Sequence, residues 1–421
     1  MCSCSRNLLR CLSRSLNNQA NQCSTEWRGR HHFLNFTRNL SNVFISPRSR
    51  VLNSLQMGQR HVGLWSSSSE PNDWNKAVSN AEKIVGYPTS FMSLRCLLSD
   101  EISNVVLHMR KLVGTQHPLL RTARGLVYDG KHGLQTRGLI VLLLSKAAGP
   151  GPQLEGEILE KDKITGICPR QRSLAEVTEM IHTANLIHKG VVNLSDLDPV
   201  FDGPIKDMEF GNKMAVLSGD FLLANASTGL AELKNTKVVE TMSSAIGDLM
   251  EAEFTGLQDG KGNLALPSSV TFSDWLKQTF LSSGSLLAKS CQSSMALVKH
   301  DDHVQKQAFE FGCNMAYVQQ LNEDMAPFLY PEEFLDQLTM VSAPVMKYAE
   351  THGVASLATF TSPLSSTDRK QIVSLIQSSQ VLNECLALCE EYGQKAIQAL
   401  DIFPHSDAKM ALVNIVEAVM K

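Results

Sequence analysis

The sequence is poor in charged and aromatic residues and has no long hydrophobic run. Of its 421 residues, 19% are charged, 6% are aromatic and 43% are hydrophobic. This composition excludes a disordered, collagen-like or purely coiled-coil chain. The longest aliphatic run, Leu139 to Leu144, has six residues, whereas a membrane-spanning helix needs about 20. The sequence therefore predicts no transmembrane span.

Lysine and acidic residues are nearly absent from the first 69 residues. This segment contains nine Arg, no Lys and Glu26 as its one acidic residue, and it is rich in Ser and Asn. Such a composition is typical of a mitochondrial transit peptide, so we predict a removed or disordered leader at 1–70, cleaved between about residues 30 and 72. A basic nucleic-acid-binding tail is the alternative, but such tails use Lys as well as Arg in dense blocks. We expect no nucleic-acid partner.

Several common site motifs are missing after the leader. There is no cysteine pair with metal-binding spacing, and no P-loop, GxSxG or HExxH motif occurs, which excludes the commonest zinc, hydrolase and nucleotide sites. Cys385 and Cys389 lie four residues apart on a predicted helix, where they fit an apolar core. The run 299–303 (KHDDH) is predicted to be a solvated corner between helices, because its neighbouring side chains cannot share one helical face.

Strand patterns are scarce, and helical periodicity dominates after Trp74. One apolar stripe at spacings of three and four lies in the predicted helix 211–233, at Met214, Leu217, Phe221 and Ala224. A second follows the predicted cap Ser406-Asp407, at Leu412, Ile415, Val416 and Val419. Stretches rich in Gly, Pro and charge predict loops at 149–172, 194–207 and 256–269. The sequence predicts a single all-α domain at 71–421 with about a dozen helices.

Five segments, in order along the chain, resemble helices of the trans-isoprenyl (polyprenyl) diphosphate synthases. They are RGLIVLLLSKAAG (137–149), LAEVTEMIHTANLIHKGVVN (174–193), FGNKMAVLSGDFLLANA (210–226), FSDWLKQTFLSSGSLLAKSC (272–291) and the closing segment 387–421. The resemblance implies the isoprenoid synthase fold, a helical bundle around a central cavity. It also implies a reaction in which magnesium, held by two Asp-rich motifs, clamps the diphosphate that leaves an allylic substrate.

The first Asp-rich motif of that family corresponds here to Lys189, Gly190 and Asn193, which replace all three aspartates. A lysine ammonium repels a divalent cation, and a neutral amide is a weaker ligand than a carboxylate. By this resemblance the chain carries no catalytic residue and no metal ligand at the first motif.

The second Asp-rich motif corresponds to Asn322, Glu323 and Ala326, which keep one carboxylate of three. In a register one residue earlier, the motif is Leu321, Asn322 and Met325, which keep none. We expect no metal site on this chain in either register, because magnesium requires hard oxygen ligands.

The resemblance leaves two residues as candidates on the substrate side. Arg137 matches the second Arg of the family's GGKRLRP motif, and His182 matches its isopentenyl-side His. Ala184 matches a small residue at the product tunnel, and His182 and Ala184 are equally explained as packing residues. Ser282-Ser283 replaces the family's Lys-Thr motif, so its Lys is lost.

A synthase scaffold without its metal motifs implies a non-catalytic but required subunit of a heteromeric enzyme. The expected partner is the catalytic subunit of a decaprenyl or solanesyl diphosphate synthase, which keeps the Asp-rich motifs and holds the magnesium, in a heterotetramer that makes the ubiquinone side chain. The protein is expected to be located in the mitochondrial matrix, either free or peripheral to the inner membrane. Two alternatives remain: a catalytically inert isoprenoid-binding or regulatory protein, and an autonomous enzyme built on Glu323, Arg137 and His182.

Overall fold

The structure, a computed structural model, describes residues 73–86, 117–119, 136–151, 166–197, 204–254, 271–360 and 364–421. All of these residues belong to one compact unit. The predicted leader at 1–70 and the predicted loop at 256–269 lie outside them, so the predicted division into a leader and one domain stays a prediction.

The regular structure of the described ranges is helical, with no strand among them, which confirms the predicted all-α class. The α-helices are α1 (Asp73–Val85), α2 (Thr136–Ala148), α3 (Pro169–His188), α4 (Ile205–Glu232), α5 (Thr236–Phe254), α6 (Phe272–Thr279), α7 (Ser285–Leu297), α8 (Asp302–Leu329), α9 (Pro331–Phe334), α10 (Ala343–His352), α11 (Ser366–Gln377), α12 (Val381–Ala399) and α13 (Asp407–Met420). Short 3-10 turns lie at Leu194–Asp196, Leu335–Gln337 and Val354–Leu357.

The long helix α8 lies at the centre of the bundle. It packs most extensively on α7 and α12, while α3 packs on α4, and α13 packs on α1 and α2. The aliphatic run of α2 is buried on all sides, as expected of a core helix. Within the described ranges no single helix is long and apolar enough to cross a membrane. Helices α11 and α12 together reach the required length and apolar composition, but the pair is bent by 76°.

Helices α6 and α7 are joined without a break by a π-helical segment, Phe280–Gly284. The Ser282-Ser283 pair lies in this segment, and the Ser283 hydroxyl donates to the Thr279 carbonyl at 3.1 Å. A π-helical turn inserts extra backbone into a helix and changes which side chains share a face. The residue pattern of this segment does not predict the π-helical turn.

Two predicted boundaries are wrong, and the predicted stripe on α4 is only partly buried. Helix α3 begins at Pro169 and α4 begins at Ile205, so both extend into predicted loops. Pro169 suits the first turn of α3, and Pro204 is the N-cap of α4. The predicted stripe of α4 is not a core face, since Leu217 is 51% exposed and Ala224 is exposed. The buried face of α4 includes Met214 from the predicted stripe together with Met208, Gly211, Ala215, Gly219, Leu222, Ala226 and Leu230.

The predicted ends of two other helices are confirmed. The Ser406 hydroxyl accepts from the Lys409 backbone N–H at 3.2 Å and caps α13, whose stripe Leu412, Ile415, Val416 and Val419 is buried. In the corner at 299–303, the Asp301 carboxylate accepts from the Val304 N–H at 2.8 Å and caps α8. Cys385 and Cys389 are buried, as predicted.

Candidate functional site

The first motif position lies at the carboxyl end of α3. This helix ends at His188, and Lys189 is its C-cap. The Lys189 ammonium lies 3.1 Å from the Glu253 carboxylate, near the end of α5. A cation is favourable at a helix C-terminus because the last carbonyl groups carry partial negative charge. Lys189 therefore pairs with a carboxylate of its own chain and is stabilised by its helix.

Gly190 and the residues after it are held by neighbouring segments. A side chain at Gly190 would bring Cβ to 3.0 Å from the Ile187 carbonyl oxygen and 3.6 Å from the Leu119 backbone nitrogen. The Asn212 side chain accepts from the Val192 N–H at 2.9 Å and donates to the Val192 carbonyl at 2.8 Å. The backbone after α3 is therefore fixed to α4.

Two further contacts complete this corner. His117 Nε2 lies 3.1 Å from Asn212 Oδ1, and burial lowers the pKa of the His117 imidazole. Its ring leaves no room for a side chain at Gly211, where an added Cβ would meet it at 2.3 Å. Asn193 accepts from the Ser195 N–H at 3.3 Å and caps the 3-10 turn Leu194–Asp196. An Asn side chain is well suited to such a cap.

The three second-motif positions lie on α8 and serve different contacts. The Asn322 side-chain amide donates to the Val419 carbonyl in the last turn of α13. Glu323 lies within electrostatic range of Arg137. Ala326 is partly buried, and its carbonyl accepts from the Tyr330 N–H at 2.8 Å.

The structure brings Arg137, His182 and Glu323 together. Arg137 Nη1 lies 3.0 Å from His182 Nε2. Because a guanidinium can only donate, His182 accepts at Nε2 and carries its proton on Nδ1. Burial, and then the positive charges of Arg137 and Lys189, hold the pKa of His182 well below its ordinary value. Burial also lowers the pKa of Arg137, against the opposing effect of two nearby carboxyl groups.

Glu179 is the other carboxyl group of this cluster, and the sequence analysis missed it. Its Oε1 accepts from the Gly138 N–H at 2.6 Å, and it also accepts from the Arg137 backbone. It thus caps the N-terminus of α2, where anions are stabilised. Its Oε2 is buried and accepts no hydrogen bond from the described residues. Glu179 lies three residues before His182, on the same face of α3 and among buried residues. This spacing is the sequence signal that points to it.

Both carboxyl groups of the cluster have raised pKa values. Burial raises the pKa of Glu179 to about 7, partly offset by its backbone hydrogen bonds and by Arg137. Burial, followed by the charge of Asp324, raises the pKa of Glu323 to about 7, partly offset by Arg137. Near neutral pH each of these two carboxyl groups is therefore partly protonated rather than fully ionised.

These residues do not fit a magnesium ion on this chain. Magnesium takes hard oxygen ligands, above all carboxylates, and the six motif positions offer one, Glu323, which lies beside Arg137. Lys189 brings a positive charge, and Asn322 directs its amide N–H groups at a carbonyl. Within the described ranges, no group of three or more His, Cys, Asp or Glu side chains is arranged to hold a metal ion. The assignment of these positions to two lost metal motifs stays a prediction.

The chain is similar to known proteins in sequence and in fold. The sequence profile described as polyprenyl synthetase matches residues 126–338. All trans-polyprenyl-diphosphate synthase PDSS2 of Homo sapiens is 50% identical over 367 residues, covering 86% of this chain and 91% of that protein. The probable mitochondrial hexaprenyl pyrophosphate synthase of Neurospora crassa is 32% identical over 387 residues, covering 82% and 85%.

One solved structure illustrates the likeness in fold. The polyprenyl synthase from Caulobacter crescentus CB15, complexed with calcium and isoprenyl diphosphate, matches with a TM-score of 0.57 and 19% identity, covering 84% of this chain and 99% of that one. At this identity the likeness concerns the fold alone, and it confirms the predicted isoprenoid synthase bundle.

Proposed function

The chain belongs to the polyprenyl synthetase family of prenyltransferases, and from this premise we propose that it is the non-catalytic but required subunit of a heteromeric trans-polyprenyl diphosphate synthase. One observation carries the proposal. Lys189 lies where the family resemblance puts an aspartate that binds magnesium, and its ammonium is paired with Glu253 of the same chain. A cation at that position opposes the binding of another cation.

The complex would condense farnesyl diphosphate with isopentenyl diphosphates to give the decaprenyl or solanesyl side chain of ubiquinone. All metal chemistry would belong to the catalytic partner, subunit 1, which carries intact Asp-rich motifs and holds the magnesium. The present chain would correspond to subunit 2. The PDSS2 relative supports a polyprenyl synthase role, and the mitochondrial relative from Neurospora crassa supports a mitochondrial location.

The proposed partner surface is the outward face of α4 and α5. Val216 and Leu217, in the middle of α4, are 43% and 51% exposed, although apolar side chains are normally buried. An obligate subunit interface buries roughly 2,000 Å² or more and is rich in apolar contacts. Two copies of the resulting heterodimer would form the heterotetramer.

Leu217→Asp tests this surface. A carboxylate at the centre of an apolar interface would be desolvated without a partner, so we expect loss of co-purification with the catalytic subunit. Leu386→Asp on α12 is the matched control, because Leu386 is also exposed, at 41%, but lies on another helix. Both variants must keep the helical circular dichroism of the parent chain. Equal recovery of the two complexes would show that the interface lies elsewhere.

The decisive experiment measures prenyl transfer from farnesyl and isopentenyl diphosphates in the presence of magnesium. The chain is assayed alone and after co-expression with a synthase subunit that carries both Asp-rich motifs. We expect activity only from the mixture. Activity of the chain alone would contradict the proposal and favour an autonomous site, and an isoprenoid that co-purifies with an inactive chain, without any partner, would favour a binding or regulatory protein.

A further inference from the structure

The residues at the proposed motif positions share one property, which is that each supports the chain's own structure. Lys189 joins the end of α3 to the end of α5, and Asn193 caps a 3-10 turn. Gly190 lets the segment 117–119 approach the end of α3. Asn322 joins α8 to the last turn of α13.

We infer that these positions form a metal-independent brace, made of Lys189, Gly190 and Asn193 at one corner and of Asn322 at the other, which holds the chain in its folded form without a cation. The inference rests on the proposed function for the assignment of these positions to metal motifs. It goes further in stating that the replacements have a structural role, so that aspartates at these positions would destabilise the chain.

The first corner follows from the electrostatics of a helix end. The carboxyl end of a helix carries partial negative charge, so an aspartate at the position of Lys189 would be disfavoured unless a cation lay beside it. That aspartate would also face the Glu253 carboxylate, which now lies 3.1 Å from the Lys189 ammonium. The lysine provides a covalently attached positive charge in place of a bound one.

Gly190 completes the first corner by its small size. An added Cβ would lie 3.0 Å from the Ile187 carbonyl oxygen, with Leu119 and Pro118 next nearest. An aspartate here would have to displace backbone atoms that currently pack on the glycine. The corner is therefore filled by the chain itself.

The second corner depends on the direction of one hydrogen bond. The last carbonyl groups of a helix have no partner within the helix, and the Val419 carbonyl of α13 is one of them. Asn322 supplies the N–H that this carbonyl accepts. A carboxylate is acceptor-only, so an aspartate at residue 322 would leave the carbonyl unpaired and place negative charge beside it.

Two neighbouring contacts hold the same end of α13. The Lys421 ammonium lies 3.0 Å from the Asp73 carboxylate on α1. The Met420 side chain packs over Gly393 of α12, where an added Cβ would overlap the methionine sulfur. Asn322 is thus the polar part of a larger attachment between α13 and the rest of the bundle.

The test compares Asn322→Asp with Asn383→Asp in the full chain. Asn383 is exposed on α12, so its variant makes the same chemical change without a buried carbonyl to oppose it. We expect Tm to fall by roughly 3–8 °C for Asn322→Asp and to change little for Asn383→Asp. Asn322→Ala removes the donor without adding charge, and it provides the comparison if the aspartate variant does not fold. Equal Tm values for Asn322→Asp, Asn322→Ala and the parent chain would overturn the inference.

Hydrogen exchange locates the effect. Because the Asn322 amide donates to the last turn of α13, amide exchange in Asn322→Asp or Asn322→Ala should increase at least several-fold in α13, while α11 keeps the parent rate. An increase spread evenly over all helices would contradict a local attachment of α13 and overturn the inference.

A magnesium titration examines the claim of metal independence and separates it from the proposed function. The parent chain and Lys189→Asp are melted with and without magnesium chloride and inorganic pyrophosphate. We expect no magnesium-dependent rise in Tm for either and a lower Tm for Lys189→Asp throughout. A rise for either chain would overturn the inference. Prenyl transfer by the chain alone would instead contradict the proposed function.

Discussion

The chain holds two charged groupings near the proposed site, and they differ mainly in burial. In the first, Lys189 and Glu253 pair at 3.1 Å with side chains that are 35% and 41% exposed. In the second, Arg137 lies among His182, Glu179 and Glu323; Glu179 is only 1% exposed, and the other three residues are half-buried. An exposed ion pair is screened by water and contributes little, whereas a buried charge without its partner is strongly destabilising.

The comparison separates two uses of charge in one bundle. The buried grouping joins α2, α3 and α8, and removing its guanidinium would leave desolvated carboxyl groups without a positive charge beside them. The exposed pair joins the ends of α3 and α5, and its members can be solvated if separated. The grouping around Arg137 should therefore dominate stability and its pH dependence, while the exposed pair should add a smaller stabilising contribution.

Arg137→Ala should have the largest effect. It removes the positive charge that partly offsets the raised pKa values of Glu179 and Glu323, and it leaves His182 without the donor now at 3.0 Å. We expect a loss of about 3 kcal/mol in the free energy of unfolding, measured by urea denaturation at pH 8. Arg170→Ala is the control, because Arg170 lies in the first turn of the neighbouring helix α3 but is exposed. Similar decreases in unfolding free energy for both variants would show that Arg137 stabilises the chain no more than an exposed arginine does.

Glu323→Gln should change the pH dependence of stability. The pKa of Glu323 is raised to about 7 from an ordinary value of 4.5. Its stabilising contribution is therefore fully present below pH 4.5 and is lost as the pH rises through 7. A glutamine cannot ionise, so the variant should be more stable than the parent at pH 8, by about 1–2 kcal/mol, and similar to it at pH 4.5.

The measurement is the unfolding free energy at several pH values between 4.5 and 8. Glu179 has a similarly raised pKa, and Glu323→Gln leaves it in place. The variant should therefore keep part of the parent's pH dependence of stability. An unchanged difference between parent and variant across this range would show that Glu323 is solvated and ionises normally.

The sequence predicted the fold better than it predicted this contrast. The all-α class and the end of α13 follow from periodicity and from the Ser406 cap, which are local signals. The starts of α3 and α4 were misplaced because Pro and acidic residues look like loops but also suit the first turn of a helix. The exposure of Leu217 depends on which face of α4 meets α3, which periodicity does not specify.

The candidate site was predicted in part for the same reason. Motif resemblance selected Arg137, His182 and Glu323, and the structure brings the three together. Glu179 was missed because its role depends on the N-terminus of α2, which lies about 40 residues away in sequence, at Gly138. The contact between Asn322 and Val419 joins residues that are 97 positions apart in the sequence. Local sequence patterns could therefore not reveal it.

Lys189→Ala should have the smallest effect on stability and would sharpen the comparison most directly. The Lys189 and Glu253 side chains are both more than a third exposed. The unfolding free energy should therefore fall by a few tenths of a kcal/mol, and by less at high salt. The measurement is urea denaturation at low and high salt, with Glu253→Ala and the double variant completing a double-mutant cycle. A coupling energy above about 1 kcal/mol would mean that the pair is shielded from water, as it would be if a partner subunit or another segment covered it. The Lys189–Glu253 pair would then contribute to stability on the same scale as the buried grouping.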